Sequence, residues 1–275
     1  VTKPRKQFGQ HWLQSEEVLS QIVAAAELKT GDRILEIGPG TGILTRRLLP
    51  EVQAVVAIEI DRDLCKKLTK SFGQYDHFLL LQGDFLDLDL DRLVNSFPNP
   101  KFHHPNKVVA NIPYNITSPI LEKLLGRIAQ PAQTNYESIV LLIQKEVADR
   151  LVAEPGNKTF GALSIGVQYL ASCELICNVP AKAFYPPPKV DSAVVRLRPR
   201  PYPKPAQNPK HLETLVKLGF AQRRKMLKNN LKSLIEPNQL SEILEQLEIK
   251  PQARAEELGI DKWVSLSDLI LGVRD

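Results

Sequence analysis

From residue 15 to residue 153 the chain alternates short apolar runs with segments of helical periodicity, and that alternation admits few folds. "SEEVLSQIVAAAEL" (15–28) opens with a Ser cap and two acids, then places apolar residues at helical spacing. "DRILEIG" reads as a strand, "TGILTRRLL" as a helix, "AVVAIEI" as a second strand, "DRDLCKKLTKSF" as a helix and "HFLLLQGD" as a third strand. "KVVANI" is a fourth, "SPILEKLLGRIA" a helix and "SIVLLIQ" a fifth strand, followed by the helices "KEVADRLVA" and "GALSIGVQYLA". Such βαβ units require a mostly parallel sheet covered by helices on both faces. "CELICNV" and "DSAVVRLRP", separated by "PAKAFYPPPK", are late strands expected to close the sheet in antiparallel fashion.

The pattern changes at "RPRPYPKPAQNP" (198–209), where five prolines in twelve residues read as a linker. Beyond it only helical periodicity is left, in "HLETLVKLGFAQRRKMLKNNLKSLI", "LSEILEQLEI" and "DKWVSLSDLIL". The expected organisation is an α/β domain over 1–200 with a basic N-terminal arm, a Pro-rich linker over 201–209, and a small all-helical domain over 210–275. A chain of 275 residues is long enough for both.

Composition narrows the function classes. With 43% hydrophobic and 24% charged residues the chain reads as a soluble globular protein. No apolar run approaches the ~18 residues of a membrane span, and "VTKPRKQFGQ" is followed by no apolar signal segment. Cys65, Cys173 and Cys177 lack metal-ligand spacing and read as buried thiols in a reducing cytoplasm, which makes the sequons at Asn115 and Asn157 chance matches. No metal is expected. His103 and His104, in the polar loop "NSFPNPKFHHPNK" (95–107), have no acid or Cys at ligand spacing. Between Lys182 and Lys232, thirteen Lys and Arg face only Asp191 and Glu213, while the rest of the chain is net acidic. Such a block suits a phosphate-rich partner or a solvated face.

The chemistry gathers at one edge of the predicted sheet. "EIGPGTG" (36–42) puts Gly38, Gly40 and Gly42 directly after the first strand, at the start of a helix whose N-terminus favours an anionic group. Glu59 ends the second strand, where an acid can accept from ribose hydroxyls. Ile43 follows Gly42, so the spacing departs from G-x-G-x-x-G and counts against NAD; no P-loop motif is present. Asp84, in "QGDFLD", ends the third strand, where it can accept from an exocyclic amine such as that of adenine. "NIPYNI" (111–116) ends the fourth strand on the same edge.

This order resembles the S-adenosylmethionine-dependent methyltransferases of class I, and "NIPY" resembles the motif of those acting on exocyclic amino nitrogens. "RKQFGQHWL", "EIGPGTGILT", "IEIDRD", "GDFL", "NIPYNIT", "LIQKEVADRL", "AFYPPPKVDSAVV", "FAQRRKML" and "PQARAEEL" together resemble the KsgA/RsmA family of ribosomal small-subunit RNA adenine dimethyltransferases, over nearly the whole chain. The resemblance implies a Rossmann-like methyltransferase sheet and S-adenosylmethionine held by His11, Leu13, Gly38, Gly40, Glu59, Asp84 and Asn111. It is weakest at His11, because "QHWL" stands where the family's commonest form is Gln-Asn-Phe-Leu; the 95–107 loop is also longer than the family's.

Adenine N6 is a weak nucleophile whose lone pair is delocalised into the ring, so neutral acceptors that orient it suffice. The Asn111 side-chain oxygen and the Ile112 carbonyl can supply them, with Pro113 fixing the turn. Tyr114 can stack on the base, and Phe184 is similar to the family's second stacking residue. Arg223, Arg224, Lys225, Lys228 and Lys232 are expected on one helix as an RNA-binding face, with "KPRK" near the N-terminus as a second contact. The expected activity is dimethylation of N6 of two adjacent adenosines near the 3′ end of small-subunit (16S) rRNA during ribosome biogenesis, by a monomer. The alternatives are an adenine-N6 methyltransferase of large-subunit rRNA or DNA, and an assembly or transcription factor using the fold mainly to bind RNA.

Overall fold

Burial explains why the apolar runs become strands. β1 (Arg33–Ile37), β2 (Ala54–Glu59), β3 (Phe78–Gln82), β4 (Lys107–Asn111) and β5 (Ser138–Gln144) pair in parallel. β2 is buried along its whole length, as a strand covered on both faces must be. β6 (Ala171–Val179) and β7 (Ser192–Pro199) complete a seven-stranded sheet of order β3-β2-β1-β4-β5-β7-β6, with β7 antiparallel to β5. The chain is therefore the expected Rossmann-like α/β protein. The computed structural model describes residues 4–5, 9–133 and 136–273. Strand order reverses between β1 and β4, so a crevice forms at their carboxyl ends.

Helices fill the connections. α1 (Glu16–Ala26) starts at Ser15, whose Oγ accepts from Val18 N at 3.3 Å, and buries Leu19, Ile22 and Ala26. α2 (Thr45–Leu48) is shorter than its periodicity suggests; Pro50 has no N–H to continue it, and a 3₁₀ turn over Leu49–Glu51 follows. α3 (Arg62–Phe72) is capped by Asp61, which accepts from Asp63 N at 2.9 Å. α4 (Leu90–Asn95) forms where no helix is expected. α5 (Thr117–Leu125) follows the "NIPY" turn, and α6 (Lys145–Leu151) and α7 (Ala162–Leu170) come after β5. In the 95–107 loop Phe102 is buried and His103 Nε2 donates to the Phe97 carbonyl at 2.7 Å, while His104 is exposed. Burial pushes the Cys65 thiol up to about 11 and Cys173 up to about 12, so both stay protonated and inert.

The chain forms two compact units. One spans 1–124, 134–148 and 174–199; the other spans 125–133, 149–173 and 200–275. The helical unit thus includes segments that precede the proline-rich stretch. That stretch is no free tether: Tyr202 stacks on Tyr169 with centroids 4.9 Å apart and donates to Asp261 Oδ1 at 2.7 Å, and Ala206 N donates to the Tyr169 hydroxyl at 3.1 Å.

The expected continuous helix over 211–235 is broken. α8 (Pro209–Gly219) and α9 (Leu227–Leu231) are separated by a turn. A Cβ on Gly219 would lie 2.3 Å from Trp263 Cη2, so glycine is what admits the indole. Asn230 Nδ2 donates to the Gly219 and Gln222 carbonyls at 2.6 and 3.2 Å, satisfying acceptors freed by the break. α10 (Pro237–Gln246) and α11 (Ile260–Gly272) complete this unit, with Trp263 of α11 fully buried. Among the described residues no helix is long and apolar enough to cross a membrane.

Candidate active site

β1 leaves the sheet through Gly38 (φ +66°) and Gly40 (φ +60°), both left-handed. A Cβ on Gly40 would meet the Trp12 indole only in ordinary van der Waals contact, at 3.6 Å, so it is the left-handed backbone that calls for glycine there. Gly42 (φ +79°) is left-handed too and also serves the packing of α3, since a Cβ there would come within 2.4 Å of Phe72. Gly40 N donates to Glu59 Oε2 at 3.1 Å and Asp61 N to Glu59 Oε1 at 2.9 Å. Glu59, 4% exposed, is thereby fixed facing the glycine turn. Burial raises its pKa against the opposing pull of those backbone donors.

Asp84 lies just past β3, its Oδ1 accepting from Leu86 N at 2.9 Å. Asn111 ends β4 and donates through Nδ2 to the His11 carbonyl at 3.4 Å. With its nitrogen anchored there, its Oδ1 has no partner among the described residues. Ile112 is buried, and its N–H donates to the Leu142 carbonyl at 3.3 Å. Pro113 holds the turn at φ −60° and ψ 136°. The Tyr114 hydroxyl bonds to Ser192 Oγ at 2.5 Å, and its ring lies near-parallel to that of His11, 5.8 Å away. His11 Nδ1 in turn donates to the Pro186 carbonyl at 2.7 Å.

These pieces meet because Trp12–Leu13 pairs in antiparallel fashion with Phe184–Tyr185. His11, Leu13, Gly38, Gly40, Glu59, Asp84, Asn111, Ile112, Pro113 and Tyr114 all line one cavity of about 360 Å³. Phe184 does not join them. It is 3% exposed, opposite Leu13, within the core of its unit, whereas its neighbour Tyr185 is 55% exposed.

The wall also contains a residue that motif reading passed over. Glu36 is 1% exposed and accepts from Thr45 Oγ1 at 2.7 Å. Burial pushes its pKa up to about 8, opposed by the Thr45 bonds and reinforced by the Glu59 charge. A carboxyl raised on folding contributes stability below its unfolded pKa, near 4.5, that is lost as pH rises through about 8. Glu36→Gln keeps the acceptor for Thr45 and removes the titration. Its melting temperature relative to the parent is therefore expected to climb by several degrees between pH 6 and 9, in the ligand-free protein. Parallel melting curves across that range would show that Glu36 is charged in the folded state.

The basic block is less uniform than its sequence. Arg223, Arg224 and Lys225 lie in the turn between α8 and α9, not on a helix; Lys228 lies on α9 and Lys232 caps it. Arg223 is already engaged, donating to the Lys158 and Phe160 carbonyls at 2.6 and 2.9 Å, with Glu256 at 3.5 Å. Arg224, Lys225, Lys228 and Lys232 are exposed, with no ion pair among the described residues. In the N-terminal arm Arg5 pairs with Asp61 at 3.4 Å and Asp63 at 2.5 Å, so its charge is taken up; Lys3 and Lys6 lie outside the described residues.

The cavity suits a nucleoside-bearing cofactor. Its volume falls within the roughly 300–1,000 Å³ of small-molecule sites. Its polar groups include a fixed buried carboxylate at Glu59 and the indole N–H of Trp12, which is buried without an acceptor among the described residues. A glycine turn, acids at successive strand ends and an Asn-Ile-Pro-Tyr turn on this sheet define a class I methyltransferase, with S-adenosylmethionine as methyl donor. The family model for ribosomal RNA adenine dimethylase matches residues 1–271. The ribosomal RNA small subunit methyltransferase A of Trichormus variabilis is 65% identical, with 98% of this chain and 99% of that protein covered. The protein of the same name from Synechococcus elongatus is 56% identical, with 95% and 93% covered. Among solved structures, a dimethyladenosine transferase from Plasmodium falciparum aligns with a TM-score of 0.74 at 28% identity, covering 93% of this chain and 96% of that one. The 23S rRNA methyltransferase ErmE aligns at 0.73 and 27%, covering 94% and 99%. The chain belongs to the ribosomal RNA adenine dimethylase family.

Proposed function

We propose that this chain dimethylates N6 of two adjacent adenosines near the 3′ end of small-subunit rRNA, acting as a cytoplasmic monomer on the immature subunit. The observation that carries this reading is the Asn111 amide. It is tethered by its nitrogen to the arm, which leaves its oxygen available at the rim of the cofactor cavity. Identity of 65% over the full length to a small-subunit methyltransferase favours that substrate over large-subunit rRNA, whose enzyme ErmE is comparably similar in fold but only 27% identical.

S-adenosylmethionine bound here supplies a methyl group activated by its sulfonium. Glu59 accepts from the ribose hydroxyls, Asp84 from the adenine amine, and the Gly38–Gly40 turn admits the ligand close to the backbone. The Asn111 Oδ1 and the Ile112 carbonyl accept the two hydrogens of the target N6, which turns its lone pair toward the methyl group. Tyr114, locked by Ser192, offers a ring for stacking. Phe184, opposite Leu13 in the core, holds the arm that carries these contacts. Arg224, Lys225, Lys228 and Lys232 face RNA phosphates.

The test is methyl transfer from labelled S-adenosylmethionine to immature small subunits, large subunits and duplex DNA, with mapping of the modified base. Dimethyladenosine at adjacent positions near the 3′ end of the small-subunit RNA is expected. Label confined to large subunits or DNA would overturn the substrate, and no label anywhere would favour a binding role.

A further inference from the structure

α5 connects two parts of the site that lie far apart in the sequence. It begins next to the "NIPY" turn, where Thr117 Oγ1 donates to the Tyr114 carbonyl at 3.2 Å. Two turns later Lys123 reaches the loop after β3. Its ammonium donates to the carbonyls of Phe85 at 2.6 Å, Leu86 at 2.9 Å and Leu88 at 2.7 Å, and lies 5.0 Å from the centre of the Phe85 ring. An ammonium has three N–H donors, and all three find acceptors in this one loop. The loop carries Asp84 and Phe85, both on the cavity wall, and adds the charges of Asp87 and Asp89. Without a cation at this point, three carbonyls would lose their donors beside three carboxylates.

We infer that Lys123 is the positioning residue for the cofactor's base: it holds the 84–88 loop in the one arrangement that presents Asp84 to an exocyclic amine. This rests on the reading of Asp84 as the adenine acceptor given above. Lys123 touches no reacting atom. Its effect is on which base the cavity accepts, because a loosened loop lets Asp84 turn away from an amine or from a carbonyl alike. A hypoxanthine base, which presents an oxygen where adenine presents its amine, sets acceptor against acceptor in the parent site and is rejected there.

The experiment compares binding of S-adenosylhomocysteine and S-inosylhomocysteine by calorimetry to the parent, Lys123→Met and Lys123→Gln. The parent is expected to prefer the adenine ligand by roughly 10- to 100-fold, the range for leaving one buried polar partner unpaired. In Lys123→Met that preference is expected to collapse to within a few fold, mainly through weaker adenine binding, while kcat at saturating cofactor stays near the parent's. Lys123→Gln, which keeps one donor nitrogen, should lie between them and serves if the Met variant does not fold. A merely structural lysine would lower the melting temperature and weaken both ligands equally. An unchanged preference in the variants therefore overturns the inference and leaves the Asp84 reading standing. A parent with no preference overturns the Asp84 reading and the inference with it.

Discussion

Asn111→Ala is expected to slow methyl transfer by roughly 10²–10³, the effect of losing one preorganised partner of a charge that develops in the transition state. The loss should fall on kcat and on kcat/KM alike, because the acceptor acts on the amine as it becomes positively charged. RNA affinity should change little. Single-turnover rates at saturating RNA and cofactor measure this directly, with filter binding to small subunits as the control. Tyr114 and Pro113 are untouched by the substitution, but the tether to the His11 carbonyl goes with the amide. Asn111→Asp separates the two losses. It retains an oxygen acceptor and lacks the N–H, so activity near that of the Ala variant would assign the defect to the tether.

A second large effect is expected from replacing Arg224, Lys225, Lys228 and Lys232 together by Gln. Each phosphate contact contributes about 0.7–0.9 to the slope of log affinity against log salt, so the slope for RNA should flatten by about 3. Binding of S-adenosylhomocysteine should be unchanged, since none of these side chains lines the cofactor cavity. Arg223→Gln should behave differently. Its guanidinium is committed to the Lys158 and Phe160 carbonyls, so the variant should melt lower and keep the parent's salt slope. A quadruple variant with the parent's affinity and slope would identify these cations as a solvated face and place the RNA elsewhere.

The contrast within "RRK" illustrates how far local sequence reaches. Three adjacent cations look equivalent in a charge count, yet one is held by carbonyls of residues more than sixty positions away in the chain. The helix expected to carry them fails for a similar reason. Its periodicity is sound on both sides of Gly219, but the break is set by Trp263 of α11, whose arrival no local pattern announces. Phe184 follows the same logic: its motif is recognisable, and its burial opposite Leu13 depends on strand pairing between residues 12–13 and 184–185.

What the sequence determined by itself is the sheet and its functional edge. Strand and helix periods are local properties, and in a parallel sheet every strand leaves at the same edge. Gly38, Glu59, Asp84 and Asn111 could therefore be placed together from their positions at strand ends alone. Tertiary structure decided which of the chain's charges remain available and which are spent. Lys123, Arg223 and Arg5 each read as a surface cation, and each is held by acceptors distant in sequence. Glu36 reads as one more acid of a strand and becomes a carboxyl that favours its proton up to about pH 8. The physical reason is the same in every case. Hydrogen bonding and desolvation depend on neighbours brought in by packing, whereas the backbone pattern depends on neighbours along the chain.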